Sequence, residues 1–118
     1  MKKLDDFVFG YIRAALWLSS DEYGEPLDRD FTIDNFSDEA IAQAIEDCER
    51  FQDENADDLY DVGNEAQNGH DFWLTRNGHG AGFRDRDYGA VGERLSLAAR
   101  AFGEANLYVG DDGLLYLG

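Results

Sequence analysis

The chain has 118 residues, is 43% hydrophobic and has a formal net charge of −16 at pH 7, which suits one globular domain over residues 1–118. Charge of this sign argues against DNA, RNA and anionic membranes as direct ligands, because binding them requires basic side chains that neutralise phosphates. No apolar run approaches the roughly 18 residues of a membrane span. No secretory leader is recognisable, and the single cysteine excludes an internal disulfide framework. We therefore expect a cytoplasmic protein.

The acidic charge is concentrated between residues 21 and 65. This stretch has 17 Asp and Glu residues against two arginines and so carries −15, whereas residues 66–118 carry only −2. Like charges at helical spacing repel by roughly 0.2–0.5 kcal/mol per pair. Because the arrangement gains nothing locally, we expect a positively charged partner. Codon bias and adaptation to high salinity are alternative explanations, but salinity would spread the acidic residues over the whole chain.

The first element in chain order is a predicted helix over residues 4–19, where apolar side chains recur at helical spacing. Gly10 weakens this helix by about 1 kcal/mol relative to alanine and suggests a close helix crossing. Residues 20–36 contain the only proline and are predicted to form a loop. Apolar residues such as Leu27 and Phe36 indicate that the loop packs over the core.

The acidic segment that follows, residues 37–67, predicts one long helix or two in succession, with Ser37 as the N-cap. An apolar stripe that includes Cys48 marks its buried side. The other sides carry rows of carboxylates, and further acidic residues precede the helix. We expect the following residues to form one partner-binding face: Asp28, Asp30, Asp34, Glu46, Asp47, Glu49, Asp53, Glu54, Asp57, Asp58, Asp61 and Glu65.

A first β-hairpin is predicted in the glycine-rich segment that comes next. Residues 72–75 have strand propensity, Asn77-Gly78 is a strong turn signal, and residues 81–83 are suited to return as the paired strand. The arginines of this segment are expected to pair with Asp85, Asp87 or the acidic helix. These arginines are Arg76, Arg84 and Arg86.

A further helix over residues 88–102, ended by Gly103, and a second hairpin over residues 106–117 complete the chain. Asp112-Gly113 provides the turn of this second hairpin. The sequence therefore predicts an α+β fold, in which a small antiparallel sheet of about four strands packs against three or four helices.

The two histidines support an alternative function. His70 and His79 lie in the segment of the first hairpin together with Asp71 and Asp85, and sets of histidine and carboxylate ligands bind metals such as zinc. The alternative hypothesis is therefore a small metal-dependent enzyme or metal-binding module. No metalloprotease, paired-cysteine, P-loop or nucleophile-elbow motif accompanies these residues, so we expect no cofactor and favour a non-enzymatic function.

Residues 71–83, DFWLTRNGHGAGF, resemble a segment shared by a group of small phage and prophage proteins. Those proteins have an aromatic residue where this chain has Arg84, and they continue with an Asp-Arg pair that matches Asp85-Arg86. The similarity extends loosely to residues 107–113 and does not cover the acidic half. The group has no settled activity, so the resemblance implies a phage protein acting in the host cytoplasm. In that setting, small acidic proteins that imitate DNA are a recurrent means of disabling host enzymes.

Charge and resemblance together predict a DNA-mimic protein that binds and inhibits a basic nucleic-acid-binding host protein of the restriction, CRISPR or DNA-repair type. The acidic face would occupy a groove meant for phosphates, with fast association and strong salt dependence. A second alternative is an acidic interaction protein without an inhibitory role. The sequence leaves the oligomeric state open.

Overall fold

The computed structural model describes residues 4–21, 23–79 and 82–118, except for the side chain of Asp85. Within these ranges the chain forms five α-helices and one two-stranded antiparallel sheet. These elements are α1 (Asp6–Leu18), α2 (Asp38–Glu54), α3 (Ala56–Val62), α4 (Glu65–Arg76), α5 (Ala90–Arg100), β1 (Leu107–Val109) and β2 (Leu115–Leu117). The α+β class is confirmed, with a smaller sheet than the four strands predicted. No helix in the described part of the chain is long and apolar enough to cross a membrane.

Helices α1 and α4 form the central crossing of the fold. Gly10 of α1 faces the backbone carbonyl of Ala66, and Gly69 of α4 faces that of Phe7. A Cβ atom at either glycine would overlap the opposing carbonyl oxygen, so the absence of a side chain is what allows the two backbones to approach. The prediction that Gly10 marks a close helix crossing is confirmed.

Aromatic rings fill the core between α2 and α4. Phe51 of α2 stacks on Phe72 of α4 with ring centroids 4.2 Å apart, and both side chains are fully buried. Phe83 and Phe102 pack against this pair, with centroids 5.8 Å from Phe51 and 5.0 Å from Phe72 respectively. Such pairs contribute about 0.5–1.5 kcal/mol each beyond the burial of their area. The predicted apolar stripe of α2, including the buried Cys48, is therefore confirmed as its core side.

The first predicted hairpin is wrong, because residues 72–75 belong to α4. Every residue from Asp71 to Arg76 is buried, so the C-terminal half of this helix is covered on all sides and lacks the alternation of apolar and polar residues that marks an exposed helix. A short run of β-branched and aromatic residues then mimics a buried strand. The expected returning strand begins with Ala81, which lies outside the described residues, and Phe83–Arg86 is a short 3₁₀ helix.

The Asn77-Gly78 signal ends α4 and does not turn a hairpin. Gly78 has φ +75°, its N–H donates to the carbonyl of Thr75 at 3.1 Å, and the N–H of His79 donates to the carbonyl of Leu74 at 2.9 Å. This is the Schellman pattern of a helix C-terminus. Both structures need a left-handed residue after asparagine, so the dipeptide alone does not distinguish them.

The second predicted hairpin is confirmed. Strands β1 and β2 pair antiparallel with Leu107 opposite Leu117, and Gly113 at the turn has φ +82°. The hairpin docks on the start of α2, where the N–H of Ser37 donates to the carbonyl of Leu115 at 2.9 Å. The loop before α2 contains two 3₁₀ turns, Leu27–Arg29 and Ile33–Asn35. Its buried Leu27 confirms that the loop packs over the core.

The acidic segment forms two helices in succession, α2 and α3, and its last residues open α4. Asn55 separates α2 from α3, and α3 ends at Gly63, which has φ +65°. Asn64 also has a positive φ, 57°, and caps α4 by accepting the N–H of Gln67 through its side chain. Two successive residues with left-handed backbone redirect the chain, so the predicted helix end at residue 67 lies inside α4.

Candidate functional site

Helix α2 separates its apolar residues from its carboxylates. The side chain of Ser37 caps the helix by accepting the N–H of Ala40 at 3.1 Å, which confirms the predicted N-cap. Glu39, Glu46 and Asp53 are exposed and lie seven residues apart, so they follow one line on the side opposite the core. Successive carboxylates on this line are about 10 Å apart along the helix axis. Glu39 lies in the first turn of α2, where the helix dipole favours a carboxylate, and it is not among the residues predicted on the partner-binding face.

Helix α3 has no buried residue among its seven. Asp57 and Asp61 are both exposed and, being four residues apart, share one side of the helix. The row of carboxylates predicted to continue from Asp61 to Glu65 is interrupted, because the chain turns at Gly63 before α4 begins. Glu65 is exposed in the first turn of α4, where the helix dipole favours a carboxylate.

Asp47, predicted on the partner-binding face, instead points into the protein and pairs with Arg76. Nη1 of Arg76 lies 2.8 Å from Oδ2 of Asp47 and also donates to the hydroxyl of Tyr11 at 2.9 Å. The guanidinium further donates to the carbonyls of Gly103 at 2.8 Å and Phe102 at 3.2 Å. The side chains of Arg76 and Asp47 are only 6% and 14% exposed. Arg76 therefore connects α1, α2 and α4 to Phe102 and Gly103, which follow α5.

Three ionisable groups at this junction have shifted pKa values. Burial raises the pKa of the Tyr11 phenol well above its usual range, although the positive charge of Arg76 opposes the shift. Burial likewise raises the pKa of the Cys48 thiol. For Arg76, burial lowers the pKa, but Tyr11 and Asp47 raise it by more, so the guanidinium stays charged. Nucleophilic cysteines need a lowered pKa and access to solvent, and the buried Cys48 has neither.

Asp58, also predicted on the face, pairs with Arg94 of α5. Nε and Nη2 of Arg94 donate to the two carboxylate oxygens at 2.9 Å and 2.8 Å, which is the two-point geometry of a strong guanidinium–carboxylate pair. The hydrogen bond from Arg94 lowers the pKa of Asp58 below its usual value. Two of the twelve predicted carboxylates, Asp47 and Asp58, are thus paired with arginines of the second half of the chain.

Apart from Glu65 in the first turn of α4, the remaining predicted carboxylates fall into two groups. Asp28, Asp30 and Asp34 are exposed in and beside the 3₁₀ turns that precede α2. The second group, which we name the acidic surface, comprises Glu46, Glu49, Asp53, Glu54, Asp57 and Asp61. Within the described residues, the only ion pair of the acidic surface joins Glu54 to Arg50 at 3.6 Å, with both side chains 58% exposed.

The structure separates the two predicted histidine ligands. His70 lies within α4, and its ring packs on that of Trp17 with centroids 5.9 Å apart. His79 lies beyond the C-terminal end of the same helix and is exposed. Across the described part of the chain, no three His, Cys, Asp or Glu side chains come together in a way that could hold a metal ion.

Asp71, the carboxylate beside His70, is fully buried and paired with Arg86. Nε and Nη2 of Arg86 donate to its two oxygens at 3.0 Å and 2.9 Å. A carboxylate held by a guanidinium in this way anchors the 3₁₀ helix Phe83–Arg86 to α4. Asp85, the fourth ligand of the metal hypothesis, has a side chain outside the described part of the structure. Of the three arginines expected to pair locally, Arg76 reaches the acidic helix as predicted, and Arg84 lies 3.6 Å from Glu93.

Compared with protein-family models, curated proteins and solved structures, the chain shows no significant match to any of them. The resemblance of residues 71–83 to phage and prophage proteins therefore remains a prediction from the sequence. Function has to be inferred from the charges and geometry of the chain itself.

Proposed function

We propose that the chain is a DNA-mimic protein that binds and inhibits a basic nucleic-acid-binding protein through the acidic surface. One observation carries this proposal: Arg76 and Arg94 neutralise Asp47 and Asp58, yet among the described residues the outward carboxylates of α2 and α3 have no basic partner apart from the exposed Arg50. A protein that only needed these carboxylates for its own fold would gain by pairing them. Their exposure leaves them available to a cationic partner.

The charge density along α2 indicates which form of nucleic acid the surface imitates. The 17 residues of α2 span about 25 Å and include seven acidic residues. Subtracting the pairs of Asp47 with Arg76 and Glu54 with Arg50 leaves about one net charge per 5 Å. A DNA strand carries one charge per 3.4 Å, and the duplex one per about 1.7 Å. The charge density of α2 is therefore closer to that of a single strand than to that of the duplex, and we infer a partner groove that accepts one strand.

The long-range field of the chain supports the same function. Most of the net charge of −16 comes from residues 21–65, so an approaching basic protein is attracted from a distance of about one Debye length, roughly 10 Å at 0.1 M salt. Such steering accelerates association and makes it strongly dependent on ionic strength. Inhibition is therefore expected to weaken steeply as salt is raised.

The test is the displacement of fluorescent single-stranded and duplex DNA from purified enzymes, namely a restriction endonuclease, a CRISPR effector nuclease and a DNA glycosylase. A double variant, Glu46→Gln with Asp53→Asn, removes two charges from the acidic surface. A matched control, Glu104→Gln with Asp111→Asn, removes two exposed charges from the second half of the chain. We expect the first variant to inhibit at least about tenfold more weakly and the control to inhibit like the unmodified protein.

Two results would contradict the proposal. Equal losses from both double variants would show that net charge alone attracts the enzymes. Binding to an enzyme without displacement of its DNA would instead favour the acidic interaction protein with no inhibitory role.

A further inference from the structure

A cavity of about 470 Å³ opens between the C-terminal end of α4, the 3₁₀ helix Phe83–Arg86 and α5. Its volume lies within the range of about 300–1,000 Å³ that is usual for small-molecule sites. Among the described residues that line it are two guanidinium groups, those of Arg84 and Arg100, together with His79 and one carboxylate, Glu93. In a chain that is acidic overall, this described lining has an excess of positive charge.

The walls of the cavity are held in place by close backbone packing. Oγ1 of Thr75 accepts the N–H of Phe83 at 3.2 Å, and Gly82 lies so close to this hydroxyl that a Cβ there would overlap it. The 3₁₀ helix is therefore fixed against α4 by Thr75 as well as by the pair of Arg86 with Asp71. A preformed cavity of this kind loses little entropy on binding a ligand.

A serine hydroxyl also lines the cavity. Ser96 of α5 is 1% exposed and belongs to the cavity lining. A serine hydroxyl can donate a hydrogen bond to an acceptor oxygen bound in the cavity.

The two arginines are available to such an acceptor. Arg84 lies 3.6 Å from Glu93, but both side chains are more than half exposed, and exposed ion pairs of this kind contribute little. Arg100 has no ion pair with any described residue. A guanidinium group presents a planar fork of donors that matches the oxygens of a phosphate. The half charge, about −0.5, at the C-terminus of α4 opposes an anion, but it is smaller than the charge of the two guanidinium groups.

We propose that this cavity binds a phosphate group, free or carried by a nucleotide, through Arg84, Arg100 and Ser96. The site is formed by α4, α5 and the 3₁₀ helix, so it does not depend on the acidic surface of α2 and α3. Binding here and inhibition by the acidic surface are therefore separable in experiment.

The first experiment is a ¹H–¹⁵N NMR titration of the full chain at constant ionic strength with inorganic phosphate, adenosine 5′-monophosphate and adenosine. We expect saturable shifts at the amides of Gly78, Gly82 and Ser96 with both phosphates and none with adenosine. Tighter binding of the nucleotide would identify a nucleotide as the source of the phosphate, and equal binding would identify free phosphate. Shifts that do not saturate, or that spread evenly over the chain, would overturn the proposal.

Three variants complete the test. Arg100→Gln is expected to weaken phosphate binding at least about tenfold, whereas Arg13→Gln, which changes an exposed arginine of α1 that has no ion pair with a described residue, is expected to leave it unchanged. Glu93→Gln removes the opposing carboxylate and is expected to tighten binding, which loss of folding cannot imitate. Equal effects of Arg100→Gln and Arg13→Gln, or no gain from Glu93→Gln, would overturn the assignment.

Discussion

Helices α2 and α3 are consecutive parts of one acidic stretch, and each is tied to the second half of the chain by one aspartate–arginine pair. The pairs have the same shortest distance, 2.8 Å, but the arginine of the Asp47 pair is 6% exposed and that of the Asp58 pair is 57% exposed. Helix α2 also buries five residues, whereas α3 buries none. The same kind of ion pair is thus part of the core in α2 and a surface contact in α3. We infer that α3 is the less stable region and opens first.

The largest expected effect comes from breaking the buried pair. Replacing Arg76 with Met leaves Asp47 partly buried without its cation and leaves the carbonyls of Phe102 and Gly103 without a donor. Removing one partner of a buried ion pair costs about 3–5 kcal/mol, and we expect a loss of this size in the free energy of unfolding measured by urea denaturation. The exposed Arg13→Met is the control and should change it by less than about 0.5 kcal/mol. Similar losses from both variants would contradict the distinction between the two pairs.

The second-largest loss of stability is expected from disturbing the crossing of α1 and α4. Gly69→Ala places a Cβ against the carbonyl of Phe7 and forces the helices apart, and overpacking of this kind costs about 1–3 kcal/mol. Because Arg76 lies on α4 and donates to Tyr11 on α1, separation of the helices also strains the buried pair. We therefore expect the loss in Gly69→Ala and that in Arg76→Met to be less than additive in a double-mutant cycle. Strict additivity would show that the crossing and the pair are independent.

The exposed pair is expected to matter only locally. Arg94→Gln removes the contact between α3 and α5, so amide hydrogen exchange in α3 should become about two- to fivefold faster, since exposed ion pairs contribute little. Exchange in α2 should not change, because its core contacts remain. A comparable acceleration in both helices would mean that α2 and α3 unfold as one unit.

The pair of Asp58 with Arg94 should stabilise the protein less at low pH than at neutral pH. Arg94 holds the pKa of Asp58 below its usual value of 3.8, so the pair contributes stability above that value and loses it as the pH falls through the lowered folded-state pKa. In a ¹³C carboxyl NMR titration, we expect Asp58 to titrate at lower pH in the unmodified protein than in Arg94→Gln. Identical midpoints would show that the two-point contact is not maintained in solution.

Part of this architecture was predictable because local chemistry determines it. The capping hydroxyl of Ser37, the Asp112-Gly113 turn and the periodicity of α1 each act within a few residues, and the structure confirms them. The C-terminal half of α4 was not predictable, because Asp71 to Arg76 are all buried and their pattern is that of a strand. The inward position of Asp47 was also hidden: its neighbour Glu46 has the same charge, and only Arg76, 29 residues away in the chain, separates their environments. The resemblance of residues 71–83 to phage proteins gave no hint that residues 71–76 belong to a helix.

The smallest expected effect is a gain in the stability of the protein instead of a loss. Asp53 lies one turn from Glu49 and stands near the C-terminal end of α2, where the helix dipole disfavours a carboxylate. We expect Asp53→Asn to stabilise the protein by about 0.2–0.5 kcal/mol at low salt, and this gain should disappear at 1 M salt, where the Debye length is about 3 Å. Thermal unfolding at both salt concentrations measures it. A gain in stability together with weaker inhibition would mean that this carboxylate serves binding at the expense of the fold, whereas a loss of stability would place Asp53 among the structural carboxylates with Asp47.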